Sequence, residues 1–171
     1  MTKHIIWALL VIAAALIQTT WLEAIRIAGV LPDLAVLLVV YFAILEGEER
    51  AMYTGLLAGL FYDVIRHATL GHHILCLVVA GYTIGRIATR LITEHPAVKA
   101  GLVFAAAFIN GLLYTAIEYV QTPQIGAINT ITAHVAPTAF YTAAVTPLVF
   151  HALDWSLRKV PAYQDSLKGT P

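Results

Sequence analysis

Residues 31–65 read LPDLAVLLVVYFAILEGEERAMYTGLLAGLFYDVI, and this stretch decides the fold. Its first half, 31–45, is apolar without interruption after Asp33, with none of the alternation of a half-buried strand. The cluster Glu46-Gly47-Glu48-Glu49-Arg50 breaks it, and a second apolar run, 51–65, follows. In that run Ala51, Gly55, Gly59 and Asp63 recur every fourth residue and therefore share one helical face. Small residues at that spacing let two helices come close in lipid, where packing holds them together.

The rest of the chain repeats the pattern. Of its 171 residues 60% are hydrophobic and only 12% charged, with a mean hydropathy of +0.80. An ordinary soluble domain has about 45–50% apolar and about 25% charged residues. So much apolar surface could not be hidden from water by a chain of this size. In lipid every backbone polar group must be paired internally, which leaves helices or a closed barrel. A barrel would alternate in polarity. The continuous runs of Leu, Ala, Val and Ile predict an all-α integral membrane protein.

Six spans are predicted, over 5–22, 31–45, 51–65, 74–92, 98–120 and 131–153. The segment 1–17 has some character of a signal peptide, including Ala13-Ala14-Ala15, but the apolar stretch runs on to Leu22 and reads as a retained first helix. Spans two and three, at 15 residues, reach only about 22 Å against a hydrocarbon core of roughly 30 Å, so they are short spans or a re-entrant hairpin. Charge favours full crossing. With an inside N-terminus the cytoplasmic segments hold Lys3, Arg50, Arg86, Arg90, Lys99, Arg158, Lys159 and Lys168, and the outside holds only Arg26 and Arg66. That is a positive-inside bias for an N-in, C-in arrangement in a bacterial cytoplasmic (inner) membrane. No internal repeat shows. Residues 1–160 are expected to form one membrane domain and 161–171 a cytoplasmic tail; the polar stretch from Asp154 reads as amphipathic at first and then disordered.

Ionisable residues in spans are expensive, so their placement is informative. Asp33, Asp63, Glu118 and His134 fall near the outer face, as do Arg66, His67, His72 and His73; Arg86, Arg90 and His151 fall near the inner one. Asp33 follows Pro32 and suits a first helical turn, or else contacts a partner or another span. Asp63 ends the small-residue stripe with Arg66 three residues on, able to pair with it. It reads as a satisfied acid at the rim of a helix contact, as part of a partner-binding face, or as a protonatable or ligand-binding group. Gly81 and Gly85 repeat the spacing of four in the next span, with Arg86 snorkelling at its end. Gln18, Thr19, Thr20 and Asn110 read as interhelical hydrogen-bonders. Pro137 and Pro147 are expected to kink the last span, with Thr138, Thr142 and Thr146 pairing the carbonyls they free.

Chemistry is sparse. Net charge is zero, so nucleic acid is not an expected partner. The lone Cys76 allows no internal disulfide. His72 and His73 are adjacent and do not share a helical face, no zinc-binding H-E-x-x-H spacing occurs, and there is no G-x-S-x-G, phosphate-binding loop or dinucleotide fingerprint. No catalytic, cofactor or metal residues are expected.

Taken in order, Gln18-Thr19-Thr20, Pro32-Asp33-Leu34, Gly55, Gly59-Leu60, Asp63, Leu70-Gly71, Gly81-Tyr82 and Gly85-Arg86 resemble the rod shape-determining MreD family of bacteria. The likeness covers most of 5–92, and spans five and six match in character. It implies a non-enzymatic role in wall elongation and cell shape, with the bitopic protein MreC as partner, acting with a RodA-type SEDS glycosyltransferase and a class B penicillin-binding transpeptidase. It also implies a fold resembling the S-components of energy-coupling-factor transporters, and hence a rival function: a vitamin- or metal-binding uptake subunit. Under the first reading Asp33, Asp63 and Arg66 would hold the outer ends of spans two and three in register. Gly55, Gly59, Gly81 and Gly85 would set close helix approaches.

Overall fold

The computed structural model describes residues 2–20, 30–65, 71–91, 95–121 and 127–159, and every element among them is helical. These are α1 (Thr2–Thr20), α2 (Leu34–Glu46), α3 (Glu48–Ile65), α4 (His72–Ala88), α5 (Pro96–Gln121), α6 (Ala127–Thr130) and α7 (Ala136–Arg158). A single π-helical turn, Ile131–Val135, joins the last two.

The thirteen-residue α2 occupies the centre. No residue from Ala35 to Ala43 is more than 5% exposed, and α1, α3, α4, α5 and α7 all pack on it. A helix that is apolar all round belongs in such a position. Around it α1, α3, α4, α5 and α7 follow in order, each packed on the next, and among the described residues α1 and α7 do not close the ring. Tyr41 ties the centre to α7: its ring meets Phe150 edge-on at 5.2 Å, and its hydroxyl donates to Asp154 Oδ1 at 2.7 Å.

Several boundaries differ from those read in the sequence. Asp33 is the N-cap of α2 and not a first-turn residue, which leaves Pro32 outside the helix. The link read as 46–50 shrinks to one residue, Gly47, at φ +87°. Its N–H donates to Ala43 O at 3.1 Å and its carbonyl accepts from Ala51 N at 3.2 Å, so it ends one helix and starts the next. Glu48 and Glu49 then lie in the first turn of α3, where the helix dipole favours an acid. At the other extreme α7 runs past the span read to 153 and through 154–158, the amphipathic start of the polar tail; the fully buried Leu157 holds that last turn in place. Residues 161–171 lie outside the described residues. Pro137 stands in the first turn of α7, just after the π turn, and Pro147 inside the helix. Thr142 and Thr146 donate to the carbonyls of Thr138 (2.7 Å) and Thr142 (3.0 Å). Neither bonds the Ala143 carbonyl that Pro147 leaves without its donor: Thr146, three residues on from it, reaches back four to Thr142 instead.

The antiparallel pair α3 and α4 is the tightest contact. A Cβ on Gly55 would stand 2.6 Å from the Leu77 carbonyl oxygen, one on Gly59 2.6 Å from Ile74 Cα, and one on Gly81 2.9 Å from the Ala51 carbonyl oxygen. On Gly85 it would collide with Glu48 Cα. The two backbones touch along the whole interface, which only hydrogen-sized side chains permit.

Outward faces are oily. Tyr53, Leu56, Leu60 and Val64 form an exposed stripe on α3, and Phe140 and Leu148 are exposed on α7. On length and composition alone α5 is able to cross a membrane; 3–18, 34–46 and 72–88 are apolar but shorter.

Candidate functional site

Polar side chains of this chain gather at the two ends of the bundle. At the end where α2 begins, Asp33 Oδ1 accepts from Ala35 N (3.0 Å) and Val36 N (3.2 Å), two donors that a helix start otherwise leaves orphaned. Gln18, on α1, grips the same turn from both sides: its Nε2 donates to Pro32 O at 2.9 Å and its Oε1 accepts from Leu34 N at 2.8 Å. The Asp33 N–H donates to Thr142 Oγ1 on α7 at 3.0 Å, and the Tyr62 hydroxyl approaches Asp33 Oδ1 at 3.4 Å. Three other helices thus fix the start of the central one.

Asp63 does the corresponding work for α4. Its side chain is fully enclosed, and it accepts from Gly71 N at 2.7 Å, His73 N at 3.1 Å and His73 Nδ1 at 2.9 Å. Gly71 takes φ +104°, which a side chain would resist. The His73 ring is held between Tyr62, edge-on at 5.6 Å, and Tyr114, tilted at 4.9 Å.

Between these two anchors lies a cavity of about 380 Å³. Asp33, Tyr62 and His73 form one wall; Asn110, Tyr114 and Glu118 of α5 form another. The three α5 residues are four apart and so share a face. His134, in the π-helical turn, and Thr138 close a third side. The wide turn pushes Val135 against Gly111, where a Cβ would not fit; such turns recur at functional sites.

The opposite end carries ion pairs. Arg50 Nε is 2.8 Å from Glu46 Oε2 and its guanidinium lies 4.9 Å over the Trp7 ring; Lys3 Nζ is 3.5 Å from Glu46 Oε1 and Arg86 is 3.7 Å from Glu48. The Trp7 indole donates to Thr54 Oγ1 at 2.9 Å, joining α1 to α3. Glu46, Glu48, Glu49, Arg86, Thr89 and Arg90 rim an open hollow here.

A family model described as rod shape-determining protein MreD matches residues 1–159. The chain belongs to the MreD family. Membership makes it a protein of the membrane and of rod-shape determination. No curated protein matches it, and no solved structure does.

In this MreD-family chain the residues singled out by sequence fall into two groups. Asp33 and Asp63 lie at the same end, linked through Tyr62 and His73. Gly55, Gly59, Gly81 and Gly85 line the α3–α4 contact, and Arg86 is at the far end, half exposed beside Glu48. Arg66, and with it the expected Asp63–Arg66 pair, lies outside the described residues. Asn110 departs from expectation: its Oδ1 is buried and accepts no hydrogen bond from the described residues, and the residue lines the cavity. The sequence places His73 near the outer face and gives it no partner. Its partner Asp63 is ten residues away across a loop, and no helical spacing announces the pair.

Proposed function

We propose that this MreD-family chain is a six-span, non-enzymatic adaptor of the bacterial cytoplasmic membrane, with both termini inside, that binds MreC and supports peptidoglycan synthesis by the elongation machinery. The observation that carries the reading is the family match over 159 of 171 residues. The RodA-type glycosyltransferase and class B transpeptidase would then be reached through MreC or alongside it.

The fold is compatible with that role. Successive helices run antiparallel, so the basic residues Lys3, Arg50 and Arg86 meet acidic ones at the same end of the bundle. The shortness of α2 is no obstacle to a six-span path, since protein and not lipid surrounds it. Interlocked α3 and α4 supply a stiff platform whose exposed α3 stripe is free for lipid or for a partner's membrane helix.

The test is co-purification of MreC with the tagged chain in mild detergent, with mass spectrometry of everything retained. MreC together with elongation enzymes is the expected result. A pair of transport ATPases in its place would point to uptake and end the adaptor reading. Reporter fusions at both termini test the topology, and a periplasmic C-terminus would contradict it.

A further inference from the structure

The cavity beside the start of α2 has a chemical bias, visible once its polar atoms are sorted into used and unused. Both amide atoms of Gln18 are engaged with Pro32 and Leu34, and the Thr115 hydroxyl donates to Gly111 O. Asn110 keeps a buried carbonyl oxygen with no donor among the described residues. The His73 ring turns its Nδ1 to Asp63, which also accepts two backbone N–H groups. Glu118 adds a half-buried carboxylate to the same lining.

The buried Asn110 oxygen and the Glu118 carboxylate thus stand as acceptors in a lining that has no lysine or arginine among its described residues. Buried acceptors are costly until a donor reaches them. The volume falls in the range of roughly 300–1,000 Å³ common for small-ligand sites, and Tyr114 adds an aromatic wall suited to a cation. Anions are disfavoured by Glu118 and Asp33. We propose that this cavity binds a primary ammonium group, supplied either by a free amine or by the ethanolamine headgroup of a membrane lipid. The ammonium sits by Glu118 and Tyr114, and a second donor of a diamine or amino alcohol extends towards Asn110.

The full-length protein in neutral detergent is melted with increasing putrescine or ethanolamine, against ethylene glycol and against sodium chloride at matched ionic strength. It is also reconstituted with equal phosphatidylethanolamine and phosphatidylglycerol, and its retained lipids are read by native mass spectrometry. Saturable protection by the amines alone supports the site, and so does retention of phosphatidylethanolamine over phosphatidylglycerol. The first identifies a free amine as the source, the second a lipid. Glu118→Gln, which keeps the shape and removes the charge, should weaken binding about tenfold, the worth of one charge-assisted hydrogen bond. Asn110→Leu should do likewise by filling the inner end, and it remains informative if Glu118→Gln does not fold. Equal effects of amine, glycol and salt with no lipid preference would overturn the proposal, as would unchanged binding in both variants.

Discussion

His73 gives Asp63 both its backbone N–H and its ring N–H, at 3.1 and 2.9 Å, so the last turn of α3 caps the first turn of α4. Capping by a residue of the preceding helix fixes two things together: the end of the loop between them and the register of the glycine-lined contact below.

Asp63→Asn removes the charge and puts a donor against three donors. The variant should lose roughly 2–4 kcal/mol, as expected when a buried, charge-assisted set of hydrogen bonds is broken. Thermal melting in detergent reads this directly; an unchanged midpoint would show that the cap carries no stability.

Gly59→Ala and Gly101→Ala form a matched pair. The first places a methyl 2.6 Å from the Ile74 backbone, whereas nothing lies within 4 Å of the second. Gly59→Ala should destabilise by about 1–3 kcal/mol through forced separation of α3 and α4, and Gly59→Leu should in addition reduce MreC recovery if the adaptor reading holds. Gly101→Ala, in an open helix interior, should be neutral or stabilising by up to about 1 kcal/mol. Equal melting of both alanine variants would remove the close-packing argument.

Gln18 offers a donor and an acceptor to the same turn, so glutamate, its near-isostere, is a poor substitute. Gln18→Glu should be no more stable than Gln18→Leu, each falling by roughly 1–3 kcal/mol, because the lost amide donor leaves a carboxylate facing Pro32 O. A glutamate variant that melts with the wild type would contradict the two-sided grip.

Gly47→Ala tests the one-residue turn. Space is open there, so the penalty is conformational alone, roughly 1–3 kcal/mol for a side chain at φ +87°, ψ −171°. Gly47→Asn should do no better, since ψ −171° lies far from the left-handed well that asparagine tolerates. Comparison of the three midpoints decides.

Much of this was written plainly in the chain. The helices and their order follow from apolar runs punctuated by charge, the stripe Ala51-Gly55-Gly59 lies at a close helix contact, and Asp33 opens a helix. The centrality of α2 was not legible, and the reason is physical. Lipid tails and protein cores are equally apolar, so hydropathy cannot tell a helix wrapped by neighbours from one bathed in bilayer. The pairing of Asp63 with His73 crosses a loop, and the π turn at 131–135 leaves no composition signature beyond the nearby Pro137. Both depend on tertiary context that spacing rules do not encode.

The enclosure of α2 has a consequence for mutational tolerance. Leu148, 73% exposed, needs only to be greasy, and isoleucine, methionine or phenylalanine would serve the fluid beside it equally well. Leu37, wholly enclosed among fixed side chains, must also have one shape. Two leucines with the same hydropathy score therefore obey different laws, and saturation mutagenesis would separate them at once.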